Sequence, residues 1–282
     1  MSIRLFRNSK KCLRHKRRLR SILPRSIVKS NFSHKKNMES KTELHPRTHW
    51  IQDTVERCIQ KLVKTFQENQ DEFFFTEKDL QSYFFHCLLE EDRFIYAYKN
   101  RSHLLIHTEY PTPFKCIMDK NTGNVYPDFG PERRMRGHID IIILNPNYIK
   151  WIVDCGCFYN SIYGLKNDLY GNYMPGMIRN YRTFNEEYGE PIIEYAIEFK
   201  FFRHTYSGKK YPLLGVLTDI NKLKLFCNFK SSSPEREIHF AGRSKSIVFL
   251  GEKTVDVLLG PLREEEKRCG GQLMVVPYRA DL

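Results

Sequence analysis

The chain has 282 residues, 41% hydrophobic and 13% aromatic, which suits a packed globular body and excludes a wholly disordered or fibrous one. No run of about eighteen apolar residues occurs, so no membrane span is expected. The formal net charge of +13 sits entirely at the start: residues 1–47 hold fifteen Lys or Arg against Glu39 and Glu43, and the remainder is formally neutral.

A basic arm of this kind suits contact with an acidic polymer such as nucleic acid. A solvated tail and an Arg-rich organelle transit peptide are the alternatives. The arm reads as mostly disordered, punctuated by Pro24 and Pro46, with a short helix allowed in LRHKRRLRSIL. Lys and Arg interrupt every apolar segment near the start, so no secretory leader is read. The eight cysteines are scattered singly apart from Cys155 and Cys157. That usage implies free thiols in a reducing, intracellular setting, cytoplasmic or nucleoid-associated. Zinc would need a second Cys/His pair at finger spacing, and the sequence offers none.

Residues 48–282 read as a single domain. THWIQDTVERCIQKLVKTFQ, 48–67, places Ile51, Val55, Cys58–Ile59, Leu62–Val63 and Phe66 three to four apart, which predicts an amphipathic helix ended by ENQDEFF. In FTEKDLQSYFFHCLLEED, Thr76 is the expected N-cap of a second helix, with Asp79 completing a capping box. A strand through 103–110 should stop at Pro111 and Pro113. A turn is expected at Asn121–Gly123, and a strand over 136–144, closed by Asn145–Pro146.

The Tyr-, Asn- and Gly-rich stretch 145–191 is too long for a plain loop and reads as an insertion with helical pieces. Its tyrosines could stack on bases, although ordinary packing is the commoner use. IIEYAIEFKFF, 192–202, reads as a buried strand. LTDINKLKLFCNF reads as a helix capped by Thr218 or Asp219, with Ile220, Leu223 and Phe226–Cys227 as its stripe. EIHFAG and KSIVFLG read as two closing strands; VDVLLGPL and LMVVPY carry weaker strand signals.

The chemistry gathers on two strands. HIDIIIL is apolar except for a central acid, Asp140. IIEYAIEFKFF buries Glu198 and Lys200 in its middle, and alternation puts both on one face with Ala196. A charge taken out of water costs on the order of several kcal/mol unless it is paired or binds a metal. Two carboxylates held close repel unless a cation lies between them or one keeps a proton. A hard divalent ion resolves that conflict, and Mg²⁺ commonly uses one or two carboxylates with phosphate and water oxygens. A structural salt bridge is the alternative.

The order of EKDLQ on a helix, HTEYP, RGHIDIIIL and AIEFK on strands, then TDINKLK on a helix, resembles the PD-(D/E)XK nuclease superfamily over about residues 73–250. The resemblance implies an α/β fold of the restriction-endonuclease-like type, an αβββαβ core whose mixed central sheet is flanked by helices, here with an insertion between the second and third core strands. It implies an Mg²⁺- or Mn²⁺-dependent phosphodiesterase, an endonuclease acting on DNA, with RNA left open and a homodimer compatible with cutting two strands. By the same resemblance Asp140, Glu198 and the carbonyl of Phe199 hold the metal, Lys200 positions water, and Glu77, or Gln81 in its place, is the extra helical ligand. Glu109 is a further candidate for the same cleft. Asp154 in WIVDCG and Asp128 in YPD compete with Asp140 for the first ligand position.

Arg133, Arg134 and Arg136 precede the Asp140 strand and could meet phosphates, as could Lys222 and Lys209–Lys210. His138 reads as a ligand, a substrate contact or a packing histidine. A second (D/E)xK triplet, Glu265-x-Lys267 in REEEKR, sits in a charged run that reads as solvated surface. Asp140 and Glu198 stand 58 positions apart, so the insertion must loop out without moving its strands. No phosphate-binding Gly-Lys loop, dinucleotide fingerprint or nucleophile elbow occurs, so ATP-driven chemistry is not expected.

Overall fold

The computed structural model describes residues 49–119, 121–128, 136–155, 175–204, 211–230 and 237–281. The chain divides into two units, Met1–Thr42 and Glu43–Leu282, and every described residue lies in the second. The basic arm, Arg133, Arg134, Cys157 and Lys209–Lys210 fall outside the described residues. The side chains of Asp128 and Arg136 do too.

Helix α1, His49–Phe73, buries the expected stripe of Ile51, Val55, Cys58, Ile59, Leu62 and Phe66. It does not stop at ENQDEFF. Asn69 leaves helical geometry (φ −142°, ψ 29°), its side-chain amide reaches the Thr65 carbonyl at 3.5 Å, and the helix resumes to Phe73. A local side-chain bond of this sort competes with the backbone ladder and bends the axis without ending the helix.

Helix α2, Glu77–Leu89, begins with the predicted capping box. Asp79 Oδ2 accepts the Thr76 N–H at 2.7 Å, and Thr76 Oγ1 accepts the Asp79 N–H at 3.3 Å. Two N–H groups that the first turn would leave orphaned are thereby satisfied.

After a 3-10 turn at Asp92–Phe94, β1 (Ile95–Tyr98) and β2 (Arg101–Leu104) form a hairpin. Strand β3 runs Ile106–Met118, straight through the prolines expected to end it. β4 (Val125–Asp128) pairs with β3 only from Lys115 onward, so the prolines lie on an open flank, and the register against the next strand slips between Pro111 and Lys115. Proline is tolerated in a strand at such edges and bulges.

Strand β5, Arg136–Leu144, ends where expected, because Asn145 caps α3 (Pro146–Asp154) by accepting the Asn147 N–H at 2.8 Å. Helix α4 is Pro175–Tyr188 and strand β6 is Ile193–Phe202. The base of the insertion between β5 and β6 is tied shut. Asn145 donates its side-chain amide to the Pro191 carbonyl at 2.8 Å and to Glu190 at 3.0 Å, and its backbone N–H to the Ile192 carbonyl at 2.8 Å. This clasp keeps two strands adjacent although dozens of residues separate them. Tyr148 and Tyr181 are spent on packing: their rings meet edge-on at 5.8 Å, and Phe184 lies 5.2 Å from Tyr148.

Helix α5 covers Tyr211–Cys227, so Thr218 and Asp219 lie inside it and cap nothing. Thr218 instead donates its hydroxyl to the Leu214 carbonyl one turn back, at 2.9 Å. The short pair β7 (Phe229–Lys230) and β8 (Glu237–Ile238) precedes β9, Ala241–Leu250; EIHFAG is split, its start forming β8 and its last two residues opening β9, which carries nearly all of KSIVFLG. VDVLLGPL lies in helix α6, Glu252–Arg268, while LMVVPY supplies β10, Leu273–Pro277. Lys267 of the second (D/E)xK triplet is exposed on α6, paired with Glu264.

The architecture is mixed α/β. Six strands form one sheet in the order β10-β9-β6-β5-β3-β4; β10, β9 and β6 are parallel, and β6, β5, β3 and β4 alternate in direction. Helices α1 and α2 cover one face of β6, where Phe66 meets Phe201 at 5.6 Å and Phe84 meets Phe199 at 5.6 Å. The side chains of Glu198 and Lys200 point the other way, toward α5. Among the described residues no helix is long and apolar enough to cross a membrane.

Candidate active site

Strands β5 and β6 pair antiparallel with Ile141 opposite Ile197 and Ile142 opposite Ala196. One step along that register, Asp140 stands opposite Glu198. The two carboxylates therefore leave neighbouring strands at one level on one face, as residues opposed in an antiparallel pair do. Asp140 Oδ2 also accepts the Phe199 N–H at 2.7 Å, which fixes its side chain against the β6 backbone.

Four more charged residues close around this pair: Lys200 on β6 itself, and three from the helices. Lys222 of α5 places its ammonium 2.6 Å from Glu198 Oε1 and donates to the His138 carbonyl at 2.7 Å. Asp219, one turn earlier on α5, reaches Lys222 at 3.6 Å and Lys200 at 3.1 Å. Glu77, the first residue of α2, approaches Lys200 at 3.7 Å. The cluster thus holds the carboxylates of Glu77, Asp140, Glu198 and Asp219 against the ammoniums of Lys200 and Lys222, an excess of two negative charges.

Burial, with that charge imbalance added to it, sets the proton affinities. Burial raises the Glu198 carboxyl well above its ordinary value; Lys222 opposes the shift, while Asp219 and Asp140 add to it. Burial likewise raises Asp140 against the pull of the Phe199 N–H and the two lysines. Burial raises Glu77 against Lys200, with Asp140 and Asp219 reinforcing it. The lysines also move up. Burial pulls each down, but Asp219 and Glu77 outweigh it at Lys200, and Glu198 and Asp219 outweigh it at Lys222. Acids and bases rising together is what surplus negative charge in a poorly solvated place produces. Lys200 is consequently an ammonium at neutral pH, suited to orienting an oxygen and unsuited to taking a proton.

Glu109 stands at the level of Asp140 on β3, between the Thr108–Ile141 and Tyr110–Ile139 pairs. Its backbone is left-handed (φ 51°), an uncommon geometry for a non-glycine residue, and its side chain pairs with Lys78 at the start of α2. Lys78 also donates to Gln81 Oε1 at 2.7 Å. Gln81 is buried, and its Nε2 has no hydrogen-bond partner among the described residues. Glu109 and Gln81 thus form a neighbouring group tied by Lys78, beside the main cluster.

Asp154 is elsewhere: it ends α3 and is engaged by Lys99 at 2.6 Å and the Tyr98 hydroxyl at 2.8 Å. His138 contributes its carbonyl to the cluster through Lys222. Lys222, expected at the nucleic-acid surface, instead has a side chain only 14% exposed and faces carboxylates. Asp219 was expected as a helix cap and, by the family resemblance, on the helix after the Glu198 strand, but not as a member of the charged cluster. The signal for both lay in α5, where Asp219 and Lys222 are polar residues one turn apart between buried Val216, Ile220 and Leu223.

Carboxylate oxygens beside surplus negative charge are what a hard divalent cation takes; here Lys222 holds Glu198 Oε1 and the Phe199 N–H holds Asp140 Oδ2, which leaves one oxygen of each carboxylate outside those two contacts. Among the described residues no three His, Cys, Asp or Glu side chains group closely enough to enclose an ion alone. An ion here would draw its remaining oxygens from backbone, water or substrate phosphate. The comparisons give no relative to set beside this geometry: no protein-family model, curated protein or solved structure matches the chain.

Proposed function

We propose that the chain is a divalent-metal-dependent phosphodiesterase of the PD-(D/E)XK type, hydrolysing DNA. The observation that carries this reading is the opposition of Asp140 and Glu198 across β5 and β6, with Lys200 two residues further on the same face. The element order α2, β3, β5, β6, α5, β9, with β9 parallel to β6, supports it.

Asp140, Glu198 and the Phe199 carbonyl would hold Mg²⁺ or Mn²⁺. When bound, such an ion lowers the pKa of water and offsets charge developing on the phosphate. The chain's own residues do the positioning. Asp219 and Glu77 hold the Lys200 ammonium at 3.1 and 3.7 Å, aimed at the same face as the carboxylates. There it can orient the attacking water or a phosphate oxygen without yielding its proton. Glu77 would help hold a second such ion, beside its contact with Lys200 at 3.7 Å. The basic arm supplies salt-dependent affinity that does not read sequence.

The test is cleavage of supercoiled, linear and branched DNA, with RNA in parallel, in Mg²⁺ and Mn²⁺. Lys200→Ala is expected to abolish cutting while leaving binding nearly intact; undiminished cutting by that variant rejects the assignment. A second reading is favoured by the Lys222–Glu198 contact, which already neutralises one of the paired carboxylates. On it, the fold binds nucleic acid without cleaving. It predicts equal binding in EDTA and in Mg²⁺, with no cut ends.

A further inference from the structure

The run Phe73-Phe74-Phe75 joins α1 to α2 with its rings pointing alternately out, in and out: Phe74 is 1% exposed, Phe73 56% and Phe75 57%. Two solvent-facing phenyl rings beside a buried one leave apolar surface uncovered, and a grouped apolar patch of this kind commonly marks a contact site. Phe75 has one neighbour of note. The Arg203 guanidinium lies over its ring, 4.9 Å from the centroid. Phe75 stands two residues before Glu77 and Arg203 three residues after Lys200, while Glu77 and Lys200 approach to 3.7 Å. The Phe75–Arg203 stack thus lies just past the end of β6, on the side lined by Phe74 and Phe201, and is joined to the Glu77–Lys200 pair through the start of α2 and the end of β6. A cavity of about 90 Å³ opens beside it, floored by Phe74 and Phe201 and edged by Arg203, His204 and Lys253, with Glu252 as the one acid.

We propose that Phe75 and Arg203 form a substrate clamp in which the ring stacks on an unpaired nucleobase and the guanidinium meets the adjoining phosphate, so that the strand reaching Asp140 and Glu198 is single-stranded or splayed from its duplex. The inference rests on the phosphodiesterase reading and adds its substrate class. A base inside a duplex has both faces covered by its neighbours, so an exposed phenyl ring can engage only a strand end or an unstacked base. Arginine suits both halves of the task, because it packs flat on aromatic rings and bonds phosphate oxygens. The charges at the cavity rim, Arg203 and Lys253 against Glu252, also favour a polyanion.

The test is binding, so it does not depend on cleavage. The full chain in EDTA is titrated into a short fluorescein-labelled single strand and into the same sequence as a blunt hairpin, at low and raised salt. Phe75→Ala should weaken single-strand binding about tenfold and hairpin binding much less, while Phe75→Trp should retain it. The deficit should persist at raised salt, because stacking releases no counterions. Arg203→Ala should lower affinity and flatten the salt dependence by about one counterion. Both Phe75 variants should melt with the native protein, since the ring is exposed. Equal single-strand affinity for the native chain, Phe75→Ala and Phe75→Trp overturns the clamp and leaves the two rings to a protein contact. An equal loss on strand and hairpin overturns it as well. Native cleavage with unchanged Phe75→Ala binding would sink the clamp and leave the phosphodiesterase reading standing.

Discussion

The Lys222 ammonium sits 2.6 Å from Glu198 Oε1, in a pocket it shares with the His138 carbonyl and Asp219. Three oxygens from β5, β6 and α5 surround one small cation, and the cation is part of the chain.

Removing it should therefore cost stability and free a binding place. Lys222→Met leaves Glu198 buried beside Asp140 with no ammonium on it. The variant is expected to lose about 3 kcal/mol of stability in EDTA, the usual scale for breaking one side of a buried pair. Mn²⁺ should restore part of that loss and bind several-fold more tightly than to the native chain, because Lys222 no longer competes for Glu198. Thermal melts across a Mn²⁺ titration measure both effects.

The raised carboxyls make a prediction about pH. Glu198, Asp140 and Glu77 all bind protons more tightly in the folded state than free in solution. The native state then carries more protons than the unfolded chain at pH values above the ordinary carboxylate range, so metal-free stability falls as pH rises through that window. Glu198→Gln fixes the neutral form. Loss of the Lys222 contact imposes its own cost, so the reading is the pH dependence: relative to the native chain, Glu198→Gln should gain stability as pH rises from about 5 to about 8 in EDTA. A constant difference across that range would mean that Glu198 ionises as freely folded as unfolded.

Divalent binding can be read apart from turnover. Mg²⁺ or Mn²⁺ should raise the melting temperature of the native chain and of Lys200→Ala. It should do so little or not at all for Asp140→Asn or Glu198→Gln, which lose the paired anions. A full divalent shift in Asp140→Asn would remove Asp140 from the ligand set.

The start of α2 is a lever on the same site. Thr76→Ala removes one half of the capping box and should cost about 1 kcal/mol, seen as a lower urea midpoint. Thr76→Ser should recover most of it. Because Glu77 follows directly, the alanine variant is also expected to depress turnover more than DNA binding.

Thr76 and Asp79, the ends of β5, and the stripe of α1 were legible because each rests on contacts between residues a few positions apart. Pro111 misled because its effect depends on which flank of β3 is paired, and only the position of β4 settles that. Helix α6 was hidden by Val255, Val257, Leu258 and Leu259, whose crowding blurs the helical period; Val255 and Leu262 carry its buried side. Thr218 and Asp219 resembled a cap because the eight helical residues before Asp219, Tyr211–Thr218, have few polar positions to mark a face.

The sequence alone determined that Glu198 and Lys200 share one side of a buried strand and that an acid lies mid-way along another, since strand alternation is a local rule. Which charges meet them was decided by the tertiary structure. Helix α5 brings Asp219 and Lys222 across the sheet, α2 brings Glu77 to its end, and the Asn145 clasp keeps β5 beside β6. The energy of a buried charge depends on every neighbour within a few ångströms, and spacing along the chain carries no record of who those neighbours are.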